Sequence, residues 1–343
     1  MKYVGIDLHK RFSVASVVDE KGKLIEQRKL PNGIEIKEFL EGHSSPLQVA
    51  VEATGNWQWL YELLEGEGIE VKLSHPLKTK AIASARVKND RVDSLTLAQL
   101  LRADLLPLSY IPEKPVRMLR ELLRYRMSLV KIQTSLKNRI HSILAKNNIR
   151  HEFSDLFGRK GTAFLSSLNL ADVYHISLRG YLSLLERVRE EIWAMDGMIR
   201  DFSLEDEGAR ILMSIPGVGY YSALLIKAEI GDVRRFPCAK KLCAYAGLVP
   251  STYASGNFCY HGHITKQGSK HLRWILLEVV LQAIRRPGPL QSFYLRVAKR
   301  KGEKVARVAA ARKLLEWIYY MLKEGKMYSE MERRGEPALS HSR

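Results

Sequence analysis

Four acidic residues in the first third of the chain have the type and spacing needed to hold divalent cations. Asp7 ends the apolar run YVGID, and Glu52 ends a second apolar run, LQVAVE. Asp90 and Asp93 lie one helical turn apart at the head of the helical pattern NDRVDSLTLAQLLRADLL. Carboxylates from two strand ends and one helix are oxygen ligands that suit Mg²⁺, with Mn²⁺ as a substitute. Two such ions can stabilise the attacking and leaving oxygens of a phosphodiester displacement.

Each of these carboxylates also has a simpler interpretation on its own. An isolated acidic residue is usually a surface charge, and Asp90 could cap the start of its helix. The joint placement favours the metal site, because Glu52 closes a run in which only Gln48 is polar, and a buried carboxylate needs partners. The sequence therefore predicts that four residues bind metal and are catalytic: Asp7, Glu52, Asp90 and Asp93.

The basic residues are concentrated in two blocks. The chain of 343 residues has a formal net charge of +18. Residues 111–160 carry 12 Lys and Arg against 4 Asp and Glu, and residues 261–327 carry 15 against 4. Surplus lysines can serve solubility alone, but two concentrated blocks beside a near-neutral remainder favour a polyanionic partner, namely nucleic acid.

The sequence has no feature typical of a secreted or membrane protein. Its three cysteines, Cys238, Cys243 and Cys259, form no CxxC pair, and their odd number argues against a disulfide framework. The apolar stretch at the N-terminus is too short for a signal peptide, and no apolar run approaches 18 residues. We therefore expect a cytoplasmic protein without a membrane partner.

Residues 1–110 alternate strand and helix patterns. A meander of three strands comes first, with a turn near residues 19–23, and helix and strand then alternate up to the helix that carries Asp90. This is the element order of the ribonuclease-H-like fold of RuvC-type resolvases, which places acidic residues on the first strand, the fourth strand and a late helix. We predict an α/β domain of this class over residues 1–110.

Two long heptad patterns follow, in a segment that we assign as a basic coiled-coil linker over residues 111–204. Leucine or isoleucine recurs every seven residues from Leu122 to Ile143 and from Leu178 to Ile199, which is typical of coiled coils. The two helices could pack on each other as an antiparallel hairpin or pair between subunits. Basic residues on other faces of the first helix either contact a nucleic-acid backbone or form a solvated face: Arg124, Arg126, Lys131, Lys137 and Arg139.

The rest of the chain predicts a mainly helical domain over residues 205–327 and a flexible polar tail over residues 328–343. The string SIPGVG in this domain resembles the helix-hairpin-helix element, whose glycines let backbone amides approach a phosphate. Gly217, Gly219 and Lys227 are therefore candidate contacts to nucleic acid. An ordinary packing corner between two helices is the alternative.

A loop-rich insert is expected at residues 244–276. Ser255 lies there in an Ala-Ser-Gly turn that could bring its hydroxyl to a scissile phosphate, although most loop serines hydrogen-bond their own backbone. Lys266, Lys270 and Arg273 follow and could neutralise phosphate charge. The residues alone make Ser255 a weak candidate for a nucleophile.

In combination, these strings resemble the DEDD transposases of bacterial insertion sequences, the Piv-like family of bridge-RNA-guided recombinases. The N-terminal strings are GIDLHK, VEATGNW and VKNDRVDSLTLAQLL, and the C-terminal strings are IPGVG, AGLVP and ITKQGSKHLR. Their order and spacing agree with the family from about residue 3 to residue 320. The resemblance implies that the four acids bind the catalytic metal and that Ser255 attacks DNA to form a phosphoserine-linked intermediate.

The resemblance also implies partners. Members of the family bind a structured non-coding guide RNA from their own element, whose loops pair with target and donor DNA. They act as dimers that assemble into tetramers, with acids from one subunit and serine from another. A bacterial enzyme that associates with the nucleoid when it acts is the expected setting.

The chain departs from the family at one position near the serine. The family commonly has Ser-Ser-Gly where this chain has Ala254, Ser255 and Gly256. The second serine is the one retained, so the nucleophile stays assigned to Ser255. Ser251 is the substitute candidate.

Three other functions fit parts of the pattern. A RuvC-like structure-specific endonuclease would use the same acids with water as the nucleophile and would not need Ser255. A protein that binds RNA and DNA without catalysis would use the basic blocks alone. An actin-like sugar kinase shares the N-terminal GID string, but its second phosphate loop and its adenosine site are missing at suitable spacing. The endonuclease is the leading alternative.

Overall fold

The computed structural model describes residues 1–43, 46–83, 89–255 and 258–333. The chain divides into two compact units, Met1–Pro112 and Glu113–Arg343. The finer division of the second unit into a linker and a C-terminal domain stays a prediction. None of the described helices has an apolar stretch long enough to cross a membrane.

The N-terminal unit is built on a mixed sheet of five strands, in the order β3-β2-β1-β4-β5. Neighbours β1, β2 and β3 are antiparallel, whereas β4 and β5 run parallel to β1. The strands are β1 (Lys2–Leu8), β2 (Phe12–Val18), β3 (Leu24–Pro31), β4 (Leu47–Glu52) and β5 (Glu70–Ser74). The helices are α1 (Ile34–Glu41), α2 (Trp57–Gly66), α3 (Pro76–Ile82) and α4 (Asp90–Arg102). The predicted mixed α/β class is confirmed, and α3 was not predicted.

Helices cover both faces of this sheet, which explains the unbroken apolar runs of its central strands. On one face, Val4 and Ile6 of β1 pack in a cluster with Leu40 of α1 and Leu60 of α2. On the other face, Ala50 of β4 belongs to a cluster formed mainly by the leucines of α4. The carboxyl ends of β1 and β4 therefore lie between two helical layers.

Helix α4 packs directly on the backbone of β1. A Cβ atom at Gly5 would overlap the carbonyl oxygen of Ser94, so glycine is required for this close approach. The Ser94 hydroxyl also lies 2.8 Å from that of Ser16, and the Gln27 amide donates to the Arg91 carbonyl at 2.9 Å. These contacts fix the head of α4, which carries two of the predicted acids, against the central strands.

The second unit is mostly helical, as predicted. Its first part contains α5 (Lys114–Lys146), α6 (Arg159–Ser167), α7 (Asp172–Glu205), α8 (Glu207–Met213) and α9 (Tyr220–Ile230). A short 3₁₀ helix (Val233–Arg235) and α10 (Ala239–Tyr245) lead to a two-stranded sheet of β6 (Pro250–Ser255) and β7 (Phe258–Ile264). The last helices are α11 (Lys270–Ala283), α12 (Pro289–Lys301), α13 (Glu303–Glu324) and α14 (Tyr328–Arg333).

The two heptad helices pack on each other within the chain. Arg126 near the start of α5 pairs with Asp196 near the end of α7, and Arg139 lies over the ring of Tyr181, nearer the start of α7. The two helices therefore run antiparallel. Leucines and isoleucines from the second half of α5 and the first half of α7 form a separate core cluster together with α6, so the hairpin alternative holds for the described chain.

The insert that was expected to be loop-rich contains a β-hairpin. Strands β6 and β7 are antiparallel, with Thr252 opposite His261 and Ser255 opposite Phe258. Thr252, Tyr253, Phe258 and Tyr260 are β-branched or aromatic, and such residues favour strands. This local preference for strands was present in the sequence, but the glycines and serines between these residues favoured a loop.

The segment that was predicted to be a flexible tail begins instead with a packed helix. Tyr328 and Met331 of α14 are buried in the core of the second unit. The Tyr328 ring lies 5.6 Å from that of Trp317, and its backbone N–H donates to the Ser214 hydroxyl at 2.9 Å. The tail prediction is therefore wrong for residues 328–333, because two apolar residues three apart give this short polar segment one apolar side.

Candidate active site

Two of the predicted acids lie at the same edge of the five-stranded sheet. Asp7 is the next-to-last residue of β1, and Glu52 is the last residue of β4. The strands are parallel, with Ile6 opposite Val51, so their carboxyl ends meet. The carboxyl end of a parallel sheet is where ligands commonly bind in α/β folds.

The other two acids lie in the first turn of α4. Asn89 caps this helix, because its side chain accepts the backbone N–H of Val92 at 2.8 Å. The alternative that Asp90 is the capping residue is therefore wrong. Asp90 and Asp93 are both in the first turn, where the positive end of the helix dipole favours negative charge.

A cavity of about 250 Å³ connects the strand ends with α4. Asp7, Glu52 and Asp93 line it, together with Thr79 and Lys80 of α3 and other neighbours. Three of the four predicted acids thus face one space. The unpredicted helix α3 supplies the opposite wall.

Asp90 is joined to this group through His9, which sequence reasoning did not assign a role. The His9 Nε2 atom lies 3.2 Å from the Asp7 carboxylate and 3.3 Å from the Asp90 carboxylate. One donor atom from each of the three residues lies within 4.8 Å of the others. The sequence signal for His9 was its spacing of two residues from Asp7, because side chains two residues apart at a strand end point to the same side of the sheet.

Two asparagines hold the backbone of His9 in place. The side-chain amides of Asn32 and Asn56 donate to the His9 carbonyl oxygen at 2.7 and 3.1 Å. Asn56 belongs to the VEATGNW string, and its carbonyl in turn accepts the Thr54 hydroxyl at 3.0 Å. The two loops that follow β1 and β4 are therefore tied together beside the acids.

The electrostatics of the cavity suit a divalent cation. Burial raises the pKa of Asp7, nearby His9 opposes the rise, and the charges of Asp93 and Asp90 add to it. A cation would relieve this crowding of like charges. The carboxylate oxygens fit Mg²⁺ or Mn²⁺, whereas an imidazole suits softer metals, so His9 fits better as a partner of the carboxylates than as a ligand.

The predicted serine nucleophile lies at the end of β6, where its backbone pairs with that of Phe258. The Ser255 side chain, like residues 256–257, lies outside the described residues, so its role stays a prediction. Ser251 lies at the base of the hairpin, and its hydroxyl donates to the His263 carbonyl at 3.1 Å. That bond gives Ser251 a structural role.

The base of the hairpin is fixed to the segment before it. The backbone N–H of Thr265 donates to the Val249 carbonyl at 2.9 Å, and that of Ser269 donates to the Tyr245 carbonyl at 3.0 Å. The Arg273 guanidinium donates to the Ala246 carbonyl at 2.9 Å. Arg273, a predicted contact to nucleic acid, therefore has a structural partner here.

Two of the predicted contacts on α5 are engaged inside the chain. Arg124 donates twice to one carboxylate oxygen of the buried Glu229, at 3.2 and 2.9 Å. Arg126 donates to both carboxylate oxygens of Asp196, and its guanidinium lies 4.4 Å from the centre of the Tyr221 ring. Both arginines join α5 to neighbouring helices.

The glycine turn between α8 and α9 combines a packed and an open position. Gly217 has a φ of +82°, and a Cβ atom there would overlap the side chain of Gln282, so this glycine serves packing. Gly219 has open space at the corresponding position. The Lys227 amine lies 3.4 Å from the Asp206 carboxylate, so Lys227 has a partner within the chain. Of the three predicted phosphate contacts in this region, Gly219 at the start of α9 is therefore the accessible one.

The remaining predicted basic contacts lie toward solvent. Lys131, Arg139, Lys266 and Lys270 are exposed, and Lys137 is half-buried with its amine 5.2 Å from the centre of the Phe157 ring. Their contact with nucleic acid stays a prediction.

Comparison with known proteins agrees with this arrangement. A transposase family model of the DEDD, IS110 type matches residues 4–148, and a model described as transposase IS116/IS110/IS902 family matches residues 209–295. The two family models thus identify a transposase of the DEDD class. The chain belongs to the IS110/IS116/IS902 family of insertion-sequence transposases.

Three related proteins align with nearly the whole chain. The transposase of insertion sequence element IS1111A from Coxiella burnetii is 28% identical, over 96% of this chain and 91% of the relative. The transposase of IS1328 from Yersinia enterocolitica is 24% identical, over 95% and 98%. The pilin gene-inverting protein of Moraxella lacunata is 25% identical, over 96% and 98%. A family of transposases implies a DNA partner.

Proposed function

We propose that this transposase exchanges DNA strands by means of a metal-binding acidic site and a serine nucleophile. The observation that carries the proposal is the cavity lined by Asp7, Glu52 and Asp93, with the His9 Nε2 atom 3.2 Å from the Asp7 carboxylate and 3.3 Å from that of Asp90. The strand order and the positions of the acids on β1, β4 and α4 support a ribonuclease-H-like, RuvC-type domain.

The four acids would hold Mg²⁺, with Mn²⁺ as a substitute. Asp7 belongs both to the cavity and to the cluster with His9 and Asp90, so we assign it the central position among the ligands. A bound ion would stabilise charge on the scissile phosphate and favour the ionised form of an attacking hydroxyl. His9, fixed through its backbone by Asn32 and Asn56, orients the carboxylates of Asp7 and Asp90.

Ser255 is the proposed nucleophile. Its Oγ forms a bond to the scissile phosphorus while the bond from phosphorus to the leaving deoxyribose oxygen breaks, and the serine proton passes through solvent to that oxygen. The hydroxyl of a partner strand then attacks the same phosphorus, breaks the serine ester and returns the proton. The number of phosphate ester bonds is conserved, so the exchange needs no ATP.

The partners follow from the same proposal. A structured non-coding guide RNA would choose donor and target DNA, and dimers would assemble into tetramers on the bacterial nucleoid. The two basic blocks, at residues 111–160 and 261–327, support contact with extended polyanions. The exposed residues Lys131, Lys266 and Lys270 are the stronger candidates for such contacts, because Arg124, Arg126 and Arg273 have partners within the chain.

The experiment compares Ser255→Ala with Ser251→Ala in strand-transfer assays with Mg²⁺, using RNA that co-purifies with the protein. We expect a covalent protein–DNA adduct with wild type and with Ser251→Ala, and no adduct with Ser255→Ala. Normal strand joining by Ser255→Ala would exclude the serine mechanism. Nicked products without adducts would point instead to a RuvC-like endonuclease that uses water.

A further inference from the structure

The junction of α12 and α13 forms an exposed basic corner. Gly302 separates the two helices with a φ of +83°, a conformation that glycine adopts without strain. We propose that this α12–α13 corner, defined by Lys299, Arg300, Lys301 and Lys304, binds the phosphate backbone of duplex DNA. The inference rests on the proposed function, to which it adds a specific binding surface.

Among the described residues, the four side chains of the corner have no ion-pair partner. All are exposed, and within the described ranges none forms an ion pair or a side-chain hydrogen bond. Two arginines further along α13 have partners within the chain. Arg307 donates to the Leu277 carbonyl and to Glu278, and Arg312 pairs with Glu316. Helix α13 therefore pairs these inner arginines, whereas Lys304 at its start and the three cations at the end of α12 lie exposed.

Helix stability does not account for this set of charges. Three cations in the last turn of α12 agree with the helix dipole. Lys304, however, lies in the first turn of α13, where the positive end of the dipole disfavours a cation. Arg296 and Arg300 are both exposed and four apart, a like-charge spacing that weakens a helix. The repulsion would be relieved by a polyanion.

The size of the corner suits a nucleic-acid backbone. The four cations fall within six consecutive residues, and a DNA strand presents one phosphate per about 3.4 Å of helix axis. Because the same six residues include the exposed Glu303, the corner has a net charge of +3 and could neutralise about three phosphates. Lysine and arginine contacts to phosphate carry no base information, so the corner would position DNA without selecting its sequence.

The test uses a charge-matched pair of variants of the full chain. Lys301→Gln with Lys304→Gln removes two charges from the corner. Lys323→Gln with Lys326→Gln removes two charges from the other end of α13, about 28 Å along the helix from Lys304, where Lys323 and Lys326 contact Tyr319 and Glu324. Duplex DNA binding is measured across a range of salt concentrations, with a hairpin RNA as a second probe and melting temperature as a check on folding.

The slope of log binding constant against log salt is negative for a protein that binds phosphates. We expect the corner variant to reduce its magnitude by about 2 for duplex DNA, with an unchanged melting temperature. The control variant should match wild type. Equal slopes for the two variants would overturn the corner assignment and leave the proposed function intact. A loss confined to the RNA probe would overturn the assignment to DNA. Wild type without salt-dependent DNA binding would overturn both proposals.

Discussion

Two buried carboxylates, one in each unit, have opposite surroundings. Glu229 on α9 receives two hydrogen bonds from Arg124 and one from the Ser269 hydroxyl at 2.9 Å. Burial raises the pKa of Asp7 on β1, the nearby His9 opposes the rise, and the charges of Asp93 and Asp90 add to it. A carboxylate that is matched by a guanidinium stabilises the fold, whereas one crowded by other carboxylates fits the metal site proposed above.

The contrast has a physical basis in the cost of burying charge. A buried ion needs compensation from hydrogen bonds and opposite charge. At Glu229 the chain itself supplies both, and the residue joins α5, α9 and the cap of α11. At Asp7 the chain brings like charges together through the close packing of α4 on Gly5, which destabilises the site until a ligand binds.

The largest effect is expected for Asp7→Asn. It should lower strand transfer on the order of 10³-fold, because several kcal/mol of transition-state stabilisation by the metal site would be lost. DNA affinity should stay close to wild type, since the basic surfaces are untouched. Single-turnover strand transfer and equilibrium binding separate the two. A variant that keeps its rate would show that Asp7 is not part of the reacting centre.

Glu229→Ala should destabilise the protein by about 3 kcal/mol. This is the low end for a broken buried pair, since about a third of the Arg124 side chain remains exposed. The matched control is Glu121→Ala, which removes an exposed carboxylate 3.5 Å from the same arginine and should cost less than about 0.5 kcal/mol. Urea unfolding measures both. An equal loss of unfolding free energy in the two variants would mean that Glu229 does not stabilise the fold more than an exposed carboxylate does.

Gly5→Ala should destabilise the N-terminal unit by about 2 kcal/mol, because the added methyl group must push α4 off β1. It should also weaken metal binding, since Asp90 and Asp93 move with that helix. Gly55→Ala is the control, because a Cβ atom there meets nothing within 4 Å. Thermal melting with and without Mn²⁺ gives both readouts. An unchanged metal response in Gly5→Ala would separate α4 from the metal site.

The smallest effect concerns stability without metal. Asp7→Asn should raise the melting temperature of the metal-free protein by a few degrees, because it removes a buried charge that its neighbours disfavour. Mg²⁺ or Mn²⁺ should stabilise wild type and not the variant. Glu229→Gln should instead lower the melting temperature, both with and without the metal ion. A loss of stability in metal-free Asp7→Asn would contradict the comparison.

Local patterns predicted much of the fold. The apolar runs of β1 and β4 and the heptads of α5 and α7 are short-range signals, and the structure confirms those elements. Elements with weaker patterns were missed, among them α3, α6 and the β6–β7 hairpin. Helices α3 and α6 have only 7 and 9 residues, too few for a clear periodic pattern, whereas the strand-favouring residues of the hairpin lie among glycines and serines that indicate a loop.

The candidate site was predictable in part for the same reason. Asp7 and Glu52 end apolar runs, so their meeting at one sheet edge followed from strand order. His9 was missed because polar residues are common after a strand, so its spacing of two from Asp7 does not by itself indicate a role. Arg124 was assigned to nucleic acid because its partner Glu229 lies 105 residues away. The metal ligands and Ser255 stay predictions until their chemistry is measured.

Helix α14 has a practical consequence for anyone who shortens or tags this chain. By composition, everything after residue 327 looks dispensable. Yet Tyr328 covers Trp317 and donates its backbone N–H to Ser214, the residue that opens the SIPGVG turn. A version that stops at Met327 would uncover an aromatic surface and loosen that turn. A truncation made to attach an affinity tag or fluorescent fusion should therefore leave α14 intact, since its first residue hydrogen-bonds Ser214 at the start of the glycine turn.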